Sequence, residues 1–150
     1  MRDGYIKSNP VAGVTSPKLE KRLPIFLDVN KVTKLVESPD KISLLGLRDR
    51  AILETLYSTG MRVSELVGLN IGRVDFIGGM VKVYGKGKKE RLIPIGDRAL
   101  RAIRDYLGRE PSDKKENRAM FLNKSRRRLT ISRQRSNILE RIKYYTNGRC

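Results

Sequence analysis

Histidine and tryptophan are absent from the 150 residues, and cysteine occurs once, at Cys150. Without histidine, these residues supply no imidazole general base and no histidine-containing zinc site. A single cysteine permits no intrachain disulfide, which fits a reducing compartment. Long apolar runs are missing, and the N-terminus lacks the apolar core of a signal peptide, so the default expectation is a cytoplasmic protein. Acidic residues are scarce too: 16 Asp and Glu stand against 33 Lys and Arg, for a formal net charge of +17. That imbalance favours a polyanionic partner, most simply nucleic acid. An anionic membrane surface is a poorer match, because no basic stretch carries a broad apolar face.

The length suits one domain, able to bury roughly 70% of its unfolded surface. Met1 to Arg22 is broken by Pro10, Gly13 and Pro17 and reads as a connector. Asp28 is expected to cap a short helix whose apolar face is Val29, Val32, Leu35 and Val36, closed by Pro39. Leu44 to Thr59 has helical spacing (Leu47, Ala51, Leu53, Leu56, Tyr57), and Gly60 is a natural stop. A second, short helix is expected from Arg62 through Leu69. The period then changes: Val74 and Phe76 alternate, Gly78-Gly79 is a turn, and Met80–Tyr84 reads as a strand. After a loop from Gly85 to Glu90, Arg91–Ile95 reads as a second strand, with Pro94 marking an edge. Asp97 is expected to cap a further helix with Leu100, Ile103 and Leu107 inward and Arg98, Arg101 and Arg104 outward. A polar loop (Gly108 to Asn117), a short apolar segment (Met120–Leu122) and a last helix opening at Thr130 complete the pattern. The expected fold is α+β, mainly helical with a small antiparallel sheet built on a β-hairpin that carries Lys86.

Two cations stand where an anion is easily held. Arg62 lies just past a helix-ending glycine, at the first turn of the next helix. Free N–H groups and the positive dipole end favour an anion there, and a guanidinium adds a planar fork for two phosphate oxygens. Glu65, three residues on, is placed to brace that guanidinium or to cap the helix. Lys86 sits between Gly85 and Gly87 at the hairpin tip, where a ligand can approach the backbone closely. Taken singly, each is more often a surface ion pair or a solvated turn lysine. The spacing around Lys86 excludes a Walker phosphate loop.

The order and company of these residues carry more. The run Leu47-Arg48-Asp49-Arg50-Ala51-Ile52-Leu53, then Tyr57-Ser58-Thr59-Gly60-Met61-Arg62-Val63-Ser64-Glu65-Leu66, then Gly85-Lys86-Gly87, Lys89-Glu90-Arg91 and Ile93-Pro94, resembles the catalytic domain of Xer-type tyrosine site-specific recombinases. Asn9-Pro10, Ser16-Pro17-Lys18-Leu19 and Leu23-Pro24 are similar to the linker from that family's DNA-clamping N-terminal domain. The resemblance implies a linker over residues 1–23 and a partial catalytic domain over 24–150. It also implies transfer of a DNA phosphodiester to a tyrosine and on to another strand, with no metal or other cofactor, by tetramers on paired sites. Arg62 then corresponds to the first catalytic arginine, Lys86 to the hairpin general acid, and Glu65 to a supporting acidic residue. Charge clamps of this type are worth about 10²–10³ in rate, and a placed general acid about 10²–10⁴.

The family's His-x-x-Arg motif, its further His or Trp and its tyrosine nucleophile have no match here. Tyr144 and Tyr145 close a helix with no activating group nearby, so neither is expected to attack. The sequence therefore reads as the first part of a catalytic domain, expected to bind DNA but not to cleave it unaided. Phosphate contacts are expected from Lys82, Lys88, Lys89 and Arg91 along the hairpin, and from Lys124, Arg126, Arg127, Arg128, Arg133 and Arg135 near the last helix. Two non-catalytic alternatives stand beside this: a helix-turn-helix regulator, and another basic nucleic-acid-binding protein, such as one that binds RNA. Leu66, Val67 and Leu69 leave the second helix little polar face for reading bases, and no aromatic stacking strip is visible.

Overall fold

The computed structural model describes residues 28–85, 89–110 and 118–131. The expected linker, the polar loop after position 110, most of the last helix, and Tyr144, Tyr145 and Cys150 lie outside the described residues.

Helix α1 (Val29–Glu37) opens where the Asp28 carboxylate accepts the Val29 N–H at 2.8 Å. Helix α2 (Leu44–Thr59) is set at both ends by local chemistry. At its start Ser43 Oγ accepts the Gly46 N–H at 3.0 Å, while the Asp40 carboxylate accepts the Ile42 and Ser43 N–H groups. At its end Gly60 takes φ +60°, a left-handed conformation that costs glycine little, and returns its N–H to the Leu56 carbonyl. Helix α3 (Val63–Val67) follows at once, with Arg62 as its N-cap. It is shorter than the periodicity suggested. The Leu69 N–H turns to the Leu66 carbonyl, three residues back, in place of the Glu65 carbonyl, and the Leu69 carbonyl is taken by the Met120 N–H, so the chain leaves the helical path after Val67.

A single 3₁₀ turn (Ile71–Arg73) leads into an antiparallel sheet of order β1-β2-β3: β1 (Val74–Asp75), β2 (Met80–Tyr84) and β3 (Glu90–Pro94). The expected two-stranded hairpin thus gains a third strand, two residues long, pairing Val74 with Val81 and Asp75 with Met80. The turn between β1 and β2 is an Asx turn, in which the Asp75 carboxylate accepts the Ile77 and Gly78 N–H groups. Register in the hairpin runs from Met80↔Pro94 to Tyr84↔Glu90, and Pro94 does lie on an edge strand.

Helix α4 (Asp97–Arg109) is capped by Gly96 and not by Asp97, a correction to the expected boundary. Gly96 is extended, its carbonyl accepts the Leu100 N–H, and its own N–H donates to Ser58 Oγ at 2.7 Å. The face assignment holds: Leu100, Ile103 and Leu107 are buried, and Arg98, Arg101 and Arg104 are exposed.

The core forms where α2 packs on α4 and both meet the sheet. Ala51, Ile52, Leu66, Val81, Ala99, Ile103 and Met120 are fully buried, and Tyr106 stacks on Phe121 with ring centroids 6.0 Å apart. Each large apolar side chain so buried contributes about 1.5–3 kcal/mol. Residues 118–131 close the core from outside. Their backbone bonds to Leu69 and Ile71, and the buried Arg48 donates to the Leu122 carbonyl at 2.9 Å.

Candidate nucleic-acid interface

Arg62 occupies the turn between α2 and α3 that Gly60 makes possible. Its side chain is 69% exposed. The Arg62 N–H donates to Glu65 Oε2 at 2.8 Å, and its Nη1 lies 3.5 Å from Oε1. The Glu65 side chain is enclosed, with 4% of it exposed. From β3, Arg91 Nη2 reaches both oxygens of the same carboxylate, at 3.1 and 3.0 Å. A single carboxylate thus ties the start of α3 to the base of the hairpin.

The other face of the hairpin is also fastened. Arg73 donates to Tyr84 Oη, sits 3.8 Å above that ring, and pairs with Glu90 at 3.5 Å. Lys82 pairs with Glu90 at 3.8 Å. A hydrogen bond from Tyr84, with the nearby positive charges of Lys82 and Arg73, holds the Glu90 carboxyl below the usual carboxylate range. Between α3 and β2 lies a cavity of about 170 Å³ lined by Ser64, Glu65, Arg73, Lys82 and Tyr84 among others. Pockets for drug-sized ligands run to roughly 300–1,000 Å³, so this one suits no such molecule. Among the described residues no cluster of acidic or thiol ligands could hold a metal ion.

Of the residues singled out in the sequence, Arg62 and Glu65 are in contact as expected. Lys86 and Lys88 lie outside the described residues, as do Arg133 and Arg135. The hairpin base itself is defined, with the Gly85 N–H bonded to the Lys89 carbonyl at 2.8 Å. Lys89 is exposed. Lys82 and Arg91, expected on phosphate, have carboxylate partners within the protein. Lys124, Arg126 and Arg127 stand exposed on a tight turn in which Asn123 Oδ1 accepts the Ser125 and Arg127 N–H groups. Arg126 there adopts φ 56°. Arg128 is differently employed: it donates to the Val67 and Leu69 carbonyls and, at 2.6 Å, to Asn70 Oδ1. Helix α3 is therefore gripped by Arg91 at its start and by Arg128 at its end. Arg73 was not singled out in the sequence, because its contacts to Tyr84 and Glu90 arise only once the sheet has formed.

An exposed arginine at a helix start, sharing its glutamate with the base of a hairpin, thus stands in a mainly helical frame with a small antiparallel sheet. Residues 25–149 match the phage integrase family, and the chain belongs to that family of tyrosine recombinases. Tyrosine recombinase XerC of Pelobacter propionicus is 53% identical over 107 residues, covering 71% of this chain and 35% of the relative. The crystal structure of XerA recombinase superposes with a TM-score of 0.72 at 28% identity, over 89% of this chain and 47% of that one. The XerH recombinase, solved bound to its difH substrate in a pre-cleavage complex, shares the fold. Its TM-score is 0.64 at 24% identity, over 83% of this chain and 38% of that one. The chain spans about a third to a half of the length of the curated relatives it matches.

Proposed function

We propose that this chain carries the phosphate-gripping part of a site-specific DNA recombinase and binds duplex DNA through its backbone phosphates. The observation that carries the reading is the exposed guanidinium of Arg62 at the start of α3, set on a carboxylate already matched by Arg91. A fork held out in this way can take two oxygens of one phosphate and offset the charge that builds on them during transfer. Lys86, from the adjoining hairpin, is the acid that would protonate the departing 5′ oxygen. Lys89, Lys124, Arg126 and Arg127 extend the phosphate track. The 150 residues contain no histidine. On their own they are expected to bind DNA without attacking it.

The helix-turn-helix alternative is disfavoured by α3. It has five residues, Leu66 within it is fully buried, and Val63 and Val67 are half-buried. At 1.5 Å per residue it is too short to lie along a major groove and offer several base-reading side chains.

Two measurements test the reading. Duplex binding followed by fluorescence anisotropy should weaken about tenfold in Arg62→Gln, as for loss of a charged hydrogen-bonded contact. An unchanged affinity would remove Arg62 from the interface. Incubation with a nicked suicide duplex should yield no covalent adduct; an adduct would overturn the expectation of inactivity.

A further inference from the structure

We infer that Arg91 is a positioning residue that frees Arg62 for phosphate, by taking over the neutralisation of Glu65. This rests on the reading that Arg62 grips a DNA phosphate. Glu65 is the most enclosed carboxylate of the site, and a carboxylate removed from water demands a close cation and hydrogen bonds. Two guanidiniums compete for it. Arg62 Nη1 stands 3.5 Å away, the outer limit of a hydrogen bond, while Arg91 Nη2 contacts both oxygens at 3.0 and 3.1 Å. The Arg62 backbone N–H, at 2.8 Å, supplies the other close contact. Glu65 is thereby satisfied by the backbone of Arg62 and the side chain of Arg91, and the Arg62 fork stays 69% exposed.

Without Arg91, the nearest cation able to neutralise the buried carboxylate is the Arg62 side chain itself. It would fold back onto Glu65 and withdraw from any bound phosphate. Arg91 lies next to Glu90, the last paired residue before the hairpin tip. The same contact therefore fixes the hairpin base against the start of α3.

The test uses the full chain and a short duplex, with thermal melts to confirm folding of each variant. Arg91→Gln should weaken binding about as much as Arg62→Gln and lower the slope of log K against log salt by about 0.9, one phosphate contact. The double variant R62Q/R91Q should bind no more weakly than R62Q. In Glu65→Gln/Arg91→Gln, where nothing holds Arg62 back, the salt slope should return to that of the unaltered chain. Arg91→Lys, which keeps the charge, should retain most of the affinity.

Multiplying losses in R62Q/R91Q, or a slope that Glu65→Gln fails to restore, would show Arg91 contacting phosphate itself and overturn the inference. So would an Arg91→Gln variant that binds normally. A second readout is independent of DNA: the ¹⁵N signal of the Arg62 Nε–H should shift in Arg91→Gln as the side chain engages Glu65. If Arg62→Gln leaves DNA binding unchanged, the DNA reading fails, and this signal alone decides the inference: a shift upholds it and a fixed signal overturns it.

Discussion

Individual arginines here divide between those that serve the fold and those left to solvent, and the division follows burial and geometry more than sequence context. Arg48 is the most embedded: it lies on Asp49 through Nε and Nη2 and on the Leu122 carbonyl through Nη1, with 8% of its side chain exposed. Its loss removes the bond to the Leu122 carbonyl and the pairing with a partly exposed Asp49, so Arg48→Ala should cost about 1–3 kcal/mol in urea unfolding. Asp40 gives a pH prediction. Hydrogen bonds from the Ser43 N–H, the Ser43 hydroxyl and the Ile42 N–H hold its carboxyl below the usual range. A depressed carboxylate stabilises the fold above its unfolded pKa of about 3.9, and that contribution is lost as pH falls through the lower folded value. Asp40→Asn should flatten the acid limb of a stability–pH curve below about pH 4 and leave its neutral slope unchanged. Arg62 was legible because its signals are local: a glycine before it, a glutamate three residues on. Arg91 was read as one more basic residue, because its partner lies 26 positions away in sequence.

The elements were legible where one end signal dominates. Asp28 and Gly60 announced the bounds of α1 and α2, and each makes its contact within one turn. Other boundaries carry no such signal: α3 ends where the Leu69 N–H turns to the Leu66 carbonyl and the chain runs on to pair with Met120, and β1 is too short to show alternation. Two glycines of α2 and its cap should respond differently to alanine. At Gly60 an added Cβ meets nothing within 4 Å, so Gly60→Ala should cost only the strain of a positive φ, about 1 kcal/mol. At Gly46 the same atom would stand 2.2 Å from the Asp40 carbonyl oxygen. The loop that caps α2 must then move, and Gly46→Ala should cost about 1–3 kcal/mol, more than Gly60→Ala in paired thermal melts.

At the scale of the molecule, a charge of +17 was the broadest signal in the sequence, and it predicts electrostatic binding without saying which cations take part. The structure narrows that set. Lys82, Arg91 and Arg128 have protein partners, while Arg62, Lys89, Lys124, Arg126 and Arg127 stand exposed among the described residues. Five phosphate contacts at about 0.9 each predict a slope of log K against log salt near −4.5 or steeper, and a flat response would count against backbone binding. Competition between duplex DNA and RNA should favour the DNA; preference for RNA would redirect the reading to the RNA-binding alternative. The family was legible because its motifs are short and ordered along the chain. The network that holds them in space was not, because it is assembled from α3, β3 and the 118–131 segment together.

The hairpin base has a practical consequence for engineering. Its register ends at Tyr84↔Glu90, and the fastenings on Arg73, Glu65 and Glu90 all lie at or below that pair. The tip between Gly85 and Lys89 is therefore a replaceable cassette: loops of other lengths or chemistries can be grafted there without disturbing the anchors beneath. Swapping only those tip residues would leave the Arg62–Glu65–Arg91 contacts in place.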